Sequence, residues 1–540
     1  MASTATLPLE QKRGRSAFLE RKLKNSRIGR WGAFAFGVLL VLGIGYIAFK
    51  LTGDLAQVHQ ATSFPYVLLG LALLIALGFE FVNGFHDTAN AVATVIYTHS
   101  MEPHLAVVWS GIWNFIGVLV SSGAVAYTIV ALLPVELILK VSQGAGFSMV
   151  FALLVAAIVW NLGTWWRGLP ASSSHTMIGS VLGVGFANQL MRGHTAASGV
   201  DWEQVVKVGK ALFFSPLIGF GGAFLLLWIA KKVITNPELY KAPEGDAPPP
   251  FWMRCLLITT CTGVSFAHGQ NDGQKGMGLI MLILVGTVPT AYALNHTVDK
   301  GSAAAFETVS KQVSVALSHY TVPGTVVADA PQELERFISK PVYTPATMTA
   351  LQEMVGLIRN EALGFGSVGG VPADQQANVR NQMYLAGETF RLLPKYGPKV
   401  SDEDNKAIAS YRSDLDKYTK YIPTWVKVAV ALALGLGTMM GWKRIVITVG
   451  EKIGKEHLTY AQGASAETVG MLTILGATAF GMPVSTTHVL SSGVAGTMAA
   501  NGSGLQFSTI RNILLAWLLT LPAAALLSGS LFWLFNKLAS

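Results

Sequence analysis

Two short segments, GLPASSSH at Gly168–His175 and GMPVSTTH at Gly481–His488, decide how this chain of 540 residues is organised. They share one pattern and lie 313 residues apart, whereas a second related pair, GFHDTANA at Gly84–Ala91 and GQNDGQKG at Gly269–Gly276, lies 185 residues apart. The two offsets differ by 128 residues, which is almost the length of the polar segment 295–421 between the second copies. Once that segment is removed the two halves match, so the sequence predicts an internal duplication.

The composition is that of a membrane protein. Hydrophobic residues make up 51% of the chain and charged residues only 13%, and a segment needs about 20 apolar residues to cross a bilayer as a helix. Apolar segments of that length begin near Trp31, Phe64, Leu105, Phe147, Lys210, Met253, Thr424 and Ile510. We therefore predict an all-α fold, a polytopic bundle of transmembrane helices.

Four apolar segments carry polar interruptions. The segments Phe64–Thr98 and Cys255–Leu294 are longer than one span and contain Gly-rich polar clusters in the middle, so each is predicted to be a discontinuous helix. The segments 168–190 and 476–498 are interrupted by Pro, Ser, Thr and His, which predicts broken, short or re-entrant helices lining a cavity. Counting crossings along the chain gives the two halves opposite orientations, the inverted-repeat architecture of secondary transporters.

The first apolar span is preceded by a run of basic residues, which predicts a cytoplasmic N-terminus rather than a nucleic-acid surface. The run comprises Lys12, Arg13, Arg15, Arg21, Lys22, Lys24, Arg27 and Arg30. The predicted division is a basic cytoplasmic tail at 1–30, an extra membrane helix at 31–52, a first repeat at 64–234, a second repeat split into 252–294 and 422–540, and an insertion at 295–421 that lies outside the membrane, on the periplasmic side.

Other functional classes fit the sequence poorly. The two cysteines, Cys255 and Cys261, lie in an apolar stretch and offer neither a disulfide framework nor a metal site. Ser174 beside His175 invites a hydrolase interpretation, but neighbours on one helix point in different directions and the pair occurs twice. An anion channel would need several basic residues along its path, and only Lys275 qualifies. We expect a transporter, no enzymatic activity and no cofactor.

Two aspartates occupy matching positions in apolar surroundings. An unpaired carboxylate there is costly, so Asp87 and Asp272 are predicted to bind a cation or a proton, and both are candidate metal ligands. Simple N-capping of a half-helix is the alternative for each. Asn90 of the first copy is replaced by Lys275 in the second. Because an ammonium group can take the place of a bound cation, we predict coupling mainly to protons rather than to two sodium ions.

The hydroxyl clusters suit an anion. Successive hydroxyls and free N–H groups at a helix N-terminus donate hydrogen bonds to an oxyanion without a fixed charge. Bonding of the hydroxyls back to their own helix is the alternative. His175 and His488 either carry protons or only orient the loops, whereas His86 and His268 are expected to be structural. The predicted substrate-binding residues are Ser172, Ser173, Ser174, Ser485, Thr486, Thr487, Asn90, Asn271 and Lys275.

The two motif pairs resemble those of the PiT family of inorganic phosphate transporters, and Phe85–Thr98 is similar to its low-affinity, proton-coupled bacterial branch. The resemblance covers about Phe64–Phe535 and implies a multi-pass protein of the bacterial inner membrane. It implies symport of phosphate with protons, carried as a neutral complex with a divalent metal ion such as Mg²⁺, and a homodimer.

By position, the resemblance assigns the cation-linked part of the site to Asp87, Asn90, Asn271 and Asp272. His86 replaces the usual Asn of the motif and Lys275 the usual second Asn, and both departures argue against sodium coupling.

Two alternatives stay open within the transporter class. One is sodium-coupled phosphate symport. The other is transport of sulfate or another tetrahedral oxyanion, because hydroxyl donors alone do not separate these anions. Phosphate still carries a proton near neutral pH and sulfate does not, so a carboxylate that accepts this proton would favour phosphate.

Overall fold

The computed structural model describes residues 29–55, 64–87, 89–133, 145–192, 200–243, 247–295, 298, 302–365, 368–372 and 374–539. Helices dominate these residues, and the β pairing among them is one isolated antiparallel bridge between Gly454 and Leu505. The predicted all-α class is confirmed for this part of the chain. Nearly all of the basic tail at 1–30 lies outside the described residues.

The first half follows an N-terminal helix that agrees with the extra span. The N-terminal helix is α1 (Arg30–Leu55), and the helices of the first half are α2 (Phe64–Asp87), α3 (Ala89–Tyr97), α4 (Pro103–Leu119), α5 (Ala124–Val130), α6 (Ala145–Trp166), α7 (Ser173–Arg192) and α8 (Trp202–Val233). The expected interruption between α2 and α3 falls on Thr88, outside the described residues, and stays a prediction.

The second half is divided by the insertion. Its helices are α9 (Phe251–Thr287), α10 (Pro289–Tyr292), α16 (Thr424–Thr438), α17 (Lys443–Ile447), α18 (Tyr460–Ala479), α19 (Thr486–Asn501) and α20 (Phe507–Ala539). The insertion between α10 and α16 contains α11 (Ser302–Ser318), α12 (Ala330–Ser339), α13 (Pro345–Gly364), α14 (Gln376–Tyr396) and α15 (Asp402–Thr419).

The prediction of a break inside Cys255–Leu294 at the Gly-rich cluster is wrong. Helix α9 runs without interruption through Gly269–Gly276 and ends only at Thr287. The glycines of the cluster serve close packing against other helices instead of breaking α9. The chain leaves the helix at Val288, which has φ −134° and precedes Pro289. A proline has no N–H and disfavours helical geometry in the residue before it, which accounts for the break at this point.

Helices of each half pack on helices of the other half. Helix α7 of the first half packs on α20 of the second, and α19 of the second half packs in the same way on α8 of the first. Helices α2 and α16 cross inside the bundle, as do α9 and α4. Each half therefore completes its core only with the other, as expected for two copies of one unit.

The crossing of α2 with α16 depends on two glycines. A Cβ added to Gly84 would overlap the carbonyl oxygen of Leu434, and one added to Gly437 would overlap the carbonyl oxygen of Phe81. The two backbones are thus in direct contact, as small residues permit at membrane helix interfaces.

The crossing of α4 with α9 has the same form. Gly117 faces the carbonyl oxygen of Phe266, and Gly269 faces that of Asn114, again with no room for a Cβ. Gly84 and Gly269 are the first residues of the paired motifs, so these motif glycines fix equivalent crossings in the two halves.

Five helices among the described residues are long and apolar enough to cross a membrane. They lie at Arg30–Leu55, Tyr66–Tyr97, Gly146–Trp166, Trp202–Val233 and Phe507–Leu538, and the number rises to seven if the bent pairs α4 with α5 and α15 with α16 each form one span. Large apolar side chains on these helices are exposed at the surface, as lipid contact requires. The predicted bundle of transmembrane helices agrees with this pattern.

The insertion has a separate apolar core and is tied to the start of α8. Its buried residues include Phe306, Leu351 and Phe390, which belong to one hydrophobic cluster. Arg391 lies 2.7 Å from Asp201, the N-cap residue of α8. The position of the insertion relative to a membrane stays a prediction.

We expect Gly84→Ala to destabilise the protein by about 1–3 kcal/mol, because the added methyl group must push apart two backbones in contact. Gly78→Ala on the same helix is the matched control, since an added Cβ there meets nothing within 4 Å. Replacing an uncrowded helical glycine by alanine is neutral or stabilising by up to ~1 kcal/mol. Thermal unfolding of the purified variants in detergent measures the difference, and equal melting temperatures would contradict the close crossing.

Candidate functional site

The two hydroxyl clusters form equivalent starts of α7 and α19. In the first, the Ser172 hydroxyl accepts a hydrogen bond from the His175 backbone N–H at 3.1 Å. In the second, the Ser485 hydroxyl accepts from the His488 backbone N–H at the same distance of 3.1 Å. Serine is a preferred N-cap because it satisfies a free N–H of the first turn. Ser172 and Ser485 thus have a structural contact of their own in addition to the predicted substrate role.

The two loops meet in the interior of the bundle. The imidazole rings of His175 and His488 have centroids 4.4 Å apart, and His488 also stacks on Trp517 at 4.0 Å. The hydroxyl of Ser174 donates to the carbonyl oxygen of Val484 at 2.7 Å. Residues 313 positions apart in the sequence therefore lie side by side, as a shared binding site requires.

Asp87 joins both loops. Its carboxylate accepts a short hydrogen bond from the hydroxyl of Ser173 in the first loop and a second bond, at 2.8 Å, from the hydroxyl of Thr487 in the second loop. His86 Nδ1 lies 3.0 Å from the same carboxylate. Asp87 is only 2% exposed, so these donors replace the water that a carboxylate would otherwise bind.

Asp272 is paired with Lys275. The Lys275 Nζ lies 2.6 Å from Asp272 Oδ2, with both side chains fully buried, and it also donates to the hydroxyl of Ser174. The ammonium group therefore links the second aspartate to the first hydroxyl loop. A buried pair of this kind is maintained only when its partners also hydrogen-bond, which Ser174 provides here.

Three side chains form a candidate metal centre. Ligand atoms of Asp87, His268 and Asp272 lie within 4.8 Å of one another, and all three residues are buried. The centre holds two carboxylates against the one ammonium of Lys275, so it retains a negative charge when the imidazoles are neutral. In a membrane interior, that excess charge favours uptake of a cation or a proton.

His268 was expected to be structural, and the structure places it in this cluster. Its Nε2 lies 3.7 Å from Asp272 Oδ2, and its Nδ1 lies 2.6 Å from Asn114 Oδ1. A carboxamide at the second ring nitrogen fixes the orientation of the imidazole, as is common for metal-binding histidines. The signal in the sequence is the i,i+4 spacing of His268 and Asp272, which puts both on one face of a helix.

The two asparagines of the predicted site have different contacts. Asn90 Nδ2 donates to the Asp87 carbonyl oxygen at 2.9 Å and to Thr487 Oγ1 at 3.2 Å, so it lies between the aspartate and the second loop. The amide of Asn271 instead donates to the Met482 carbonyl oxygen at 3.1 Å and accepts from the Val484 backbone N–H at 3.3 Å. Asn271 thus fixes the backbone of the second loop.

The Thr486 hydroxyl is buried and has no hydrogen-bond partner among the described residues. A buried donor without a partner costs free energy. Of the predicted substrate-binding hydroxyls, Thr486 is thus the one without a hydrogen-bond partner among the described residues.

Two buried glutamates lie near the site and were not predicted. Glu80 accepts from Asn83 Nδ2 at 3.3 Å and packs against Gly276, next to the Lys275 pair. Glu467 accepts hydrogen bonds from Thr94 and Thr260. Both are isolated acidic residues in apolar sequence, the same signal that singled out the two aspartates.

Comparison with known proteins identifies relatives over most of the chain. A family model described as the phosphate transporter family matches residues 83–528. The chain is 42% identical over 497 residues to the low-affinity inorganic phosphate transporter PitB of Escherichia coli K12, covering 87% of this chain and 97% of that protein. It is 43% identical over 489 residues to PitA of the same organism, with coverages of 87% and 96%.

More distant relatives also match. A probable low-affinity inorganic phosphate transporter of Bacillus subtilis is 28% identical over 476 residues, covering 87% of this chain and 99% of that protein. A solved structure described as the sodium-dependent phosphate transporter is similar at 19% identity with a TM-score of 0.46, covering 87% of this chain and 99% of that chain.

We expect Lys275→Gln to destabilise the protein by about 3–5 kcal/mol, because it leaves a carboxylate buried without its cation. The double variant Asp272→Asn with Lys275→Gln should recover much of this loss, since it removes both charges. Lys417→Gln, which breaks an exposed pair with Asp414, is the control and should change stability little. Thermal unfolding measures all three, and a double variant no more stable than Lys275→Gln would contradict the pairing.

Proposed function

The chain belongs to the phosphate transporter family, and from that premise we propose that it imports inorganic phosphate by symport with protons. The phosphate travels as a neutral complex with a divalent metal ion such as Mg²⁺. The proposal includes a homodimer in the bacterial inner membrane with a cytoplasmic N-terminus, supported by the family resemblance and by the basic residues before α1.

The observation that carries the proposal is the sharing of hydroxyl donors at Asp87. Thr487 of one loop donates to this carboxylate, and Ser173 of the other also donates to it while lying 2.7 Å from Asn83 Oδ1, a second acceptor for the same hydrogen. Each hydroxyl has a single hydrogen to donate. An oxyanion entering between the loops must therefore compete with Asp87 for these hydrogens.

Cation binding removes that competition. When Asp87 binds a proton or a metal ion, its need for hydrogen-bond donors falls, and Ser173 and Thr487 become available to the anion. Anion and cation then bind more tightly together than either does alone, so the two load together, as symport requires. The hydroxyls do not have to move far, since both already lie at the meeting point of the loops.

The charges of the centre favour transport of an uncharged complex. The centre has two carboxylates and one ammonium group in a buried environment. A free phosphate ion would add one or two further negative charges, which low-polarity surroundings strongly oppose. A metal–phosphate complex adds none, and Asp87 and Asp272, with His268 beside them, are the groups that would contact its metal ion.

Lys275 supports protons as the coupling ion. Its ammonium group contacts Asp272 directly, in the place where Asn90 of the first copy would leave room for a cation. In this proposal, Lys275 takes the place of one of two equivalent cations. A proton on Asp87 or on His175 and His488 completes the charge balance without a second bound metal.

The test is uptake of radiolabelled phosphate by proteoliposomes under an imposed proton gradient or sodium gradient, with and without Mg²⁺. We expect proton-driven uptake that requires Mg²⁺, because the free anion carries too much charge into the site. Uptake driven only by sodium would overturn the coupling proposal, and uptake of labelled sulfate in place of phosphate would overturn the substrate.

Substitutions of the two aspartates test whether this uptake depends on the site. Asp87→Asn and Asp272→Asn should each lower the proton-driven rate by at least about tenfold, equivalent to about 1.4 kcal/mol. Asp402→Asn, an exposed position in the insertion, should leave the rate unchanged. Normal uptake by either site variant would contradict its role in coupling.

A further inference from the structure

A large groove lies apart from the site, between the first half of α8 and the second half of α18. Its volume is about 1040 Å³, and its walls are mostly apolar. Phe214 and Ile218 line it from α8, and Leu472 and Phe480 from α18 and its end, all with more than half of their surface exposed. An apolar groove on the flank of two membrane helices is open to lipid chains.

One end of the groove is basic. Lys207 and Lys210 lie one turn apart on α8 and are both exposed. A third lysine at this end, Lys395 of the insertion, is neutralised by Glu203 at 3.2 Å. Neither Lys207 nor Lys210 forms an ion pair with any described residue, so two positive charges remain available. Trp202 stands at the same end, 56% exposed, as aromatic residues do at a membrane interface.

The groove also reaches the second hydroxyl loop. Met482 and Val484 line it there, and the backbone of these two residues is bonded to Asn271. The Val484 carbonyl oxygen also accepts from Ser174. A molecule bound in this part of the groove therefore contacts the loop that carries Thr486 and Thr487.

We propose that this groove binds one anionic phospholipid, with an acyl chain between α8 and α18 and the headgroup phosphate at Lys207 and Lys210. The apolar walls favour a lipid over free phosphate, because only an acyl chain gains from burial against them. The two free lysines favour an anionic headgroup over a zwitterionic one. The site is separate from the proposed phosphate path and does not depend on it.

Native mass spectrometry of the full chain in detergent tests the proposal with phosphatidylglycerol and phosphatidylethanolamine as probes. We expect one retained phosphatidylglycerol and weaker retention of phosphatidylethanolamine. Lys207→Gln with Lys210→Gln should weaken phosphatidylglycerol binding about tenfold, since each basic residue near an anionic lipid contributes several-fold in affinity. Lys399→Gln with Lys406→Gln, exposed in the insertion, is the control and should bind normally.

A second pair of variants tests the groove itself. Gly476 lines it and an added Cβ meets nothing within 4 Å, so Gly476→Phe should fill the space and abolish lipid retention. Gly221→Phe is the control, because Gly221 on α8 is equally uncrowded but lies outside the groove lining.

Three results would overturn the proposal. They are equal retention of the two lipids, unchanged binding in the lysine or Gly476→Phe variants, and displacement of the lipid by millimolar inorganic phosphate. The last would identify the lysines as a site for the free anion.

Discussion

The rest of the structure depends on keeping two carboxylates inside a membrane protein. Asp87 and Asp272 are almost completely buried, and only Asp272 has a lysine beside it. Asp87 relies mainly on hydroxyl donors, one from each half of the chain. The two loops must therefore meet at one point, and the crossings that hold the helices in place follow from that requirement. The motif glycines, Gly84 and Gly269, bring the helices carrying the aspartates into backbone contact with their neighbours.

In our proposal, this arrangement lets transport and coupling share one set of residues. We propose that the donors to Asp87 are also those that bind the oxyanion, so that the site favours the anion when a proton or metal ion is on the carboxylate. The two halves are equivalent in their loops and crossings but differ in charge, because Lys275 stands where the first half has Asn90. The duplication supplies the geometry, and this single difference sets which ions the site accepts in our proposal.

Much of this architecture was predictable because membrane helices and duplicated motifs leave strong patterns. The apolar spans, the two equivalent loops and the apolar surroundings of Asp87 and Asp272 follow from the sequence. The break predicted within α9 was wrong, since the glycines that suggested it serve helix crossing, and sequence alone does not distinguish these two uses. His268, Glu80 and Glu467 were not assigned to the site, because an isolated polar residue in an apolar helix does not show which residues surround it. Those neighbours come from distant parts of the chain.

The central claim is that the hydroxyls of Ser173 and Thr487 donate to the Asp87 carboxylate when the site is empty and to the anion when it is bound. A crystal structure of the protein with phosphate and Mn²⁺, using the anomalous signal of manganese, tests it most directly. The account predicts manganese at Asp87 and Asp272, with the hydroxyls of Ser173 and Thr487 turned from Asp87 to the phosphate oxygens. Phosphate bound elsewhere, with both hydroxyls still on Asp87, would contradict it.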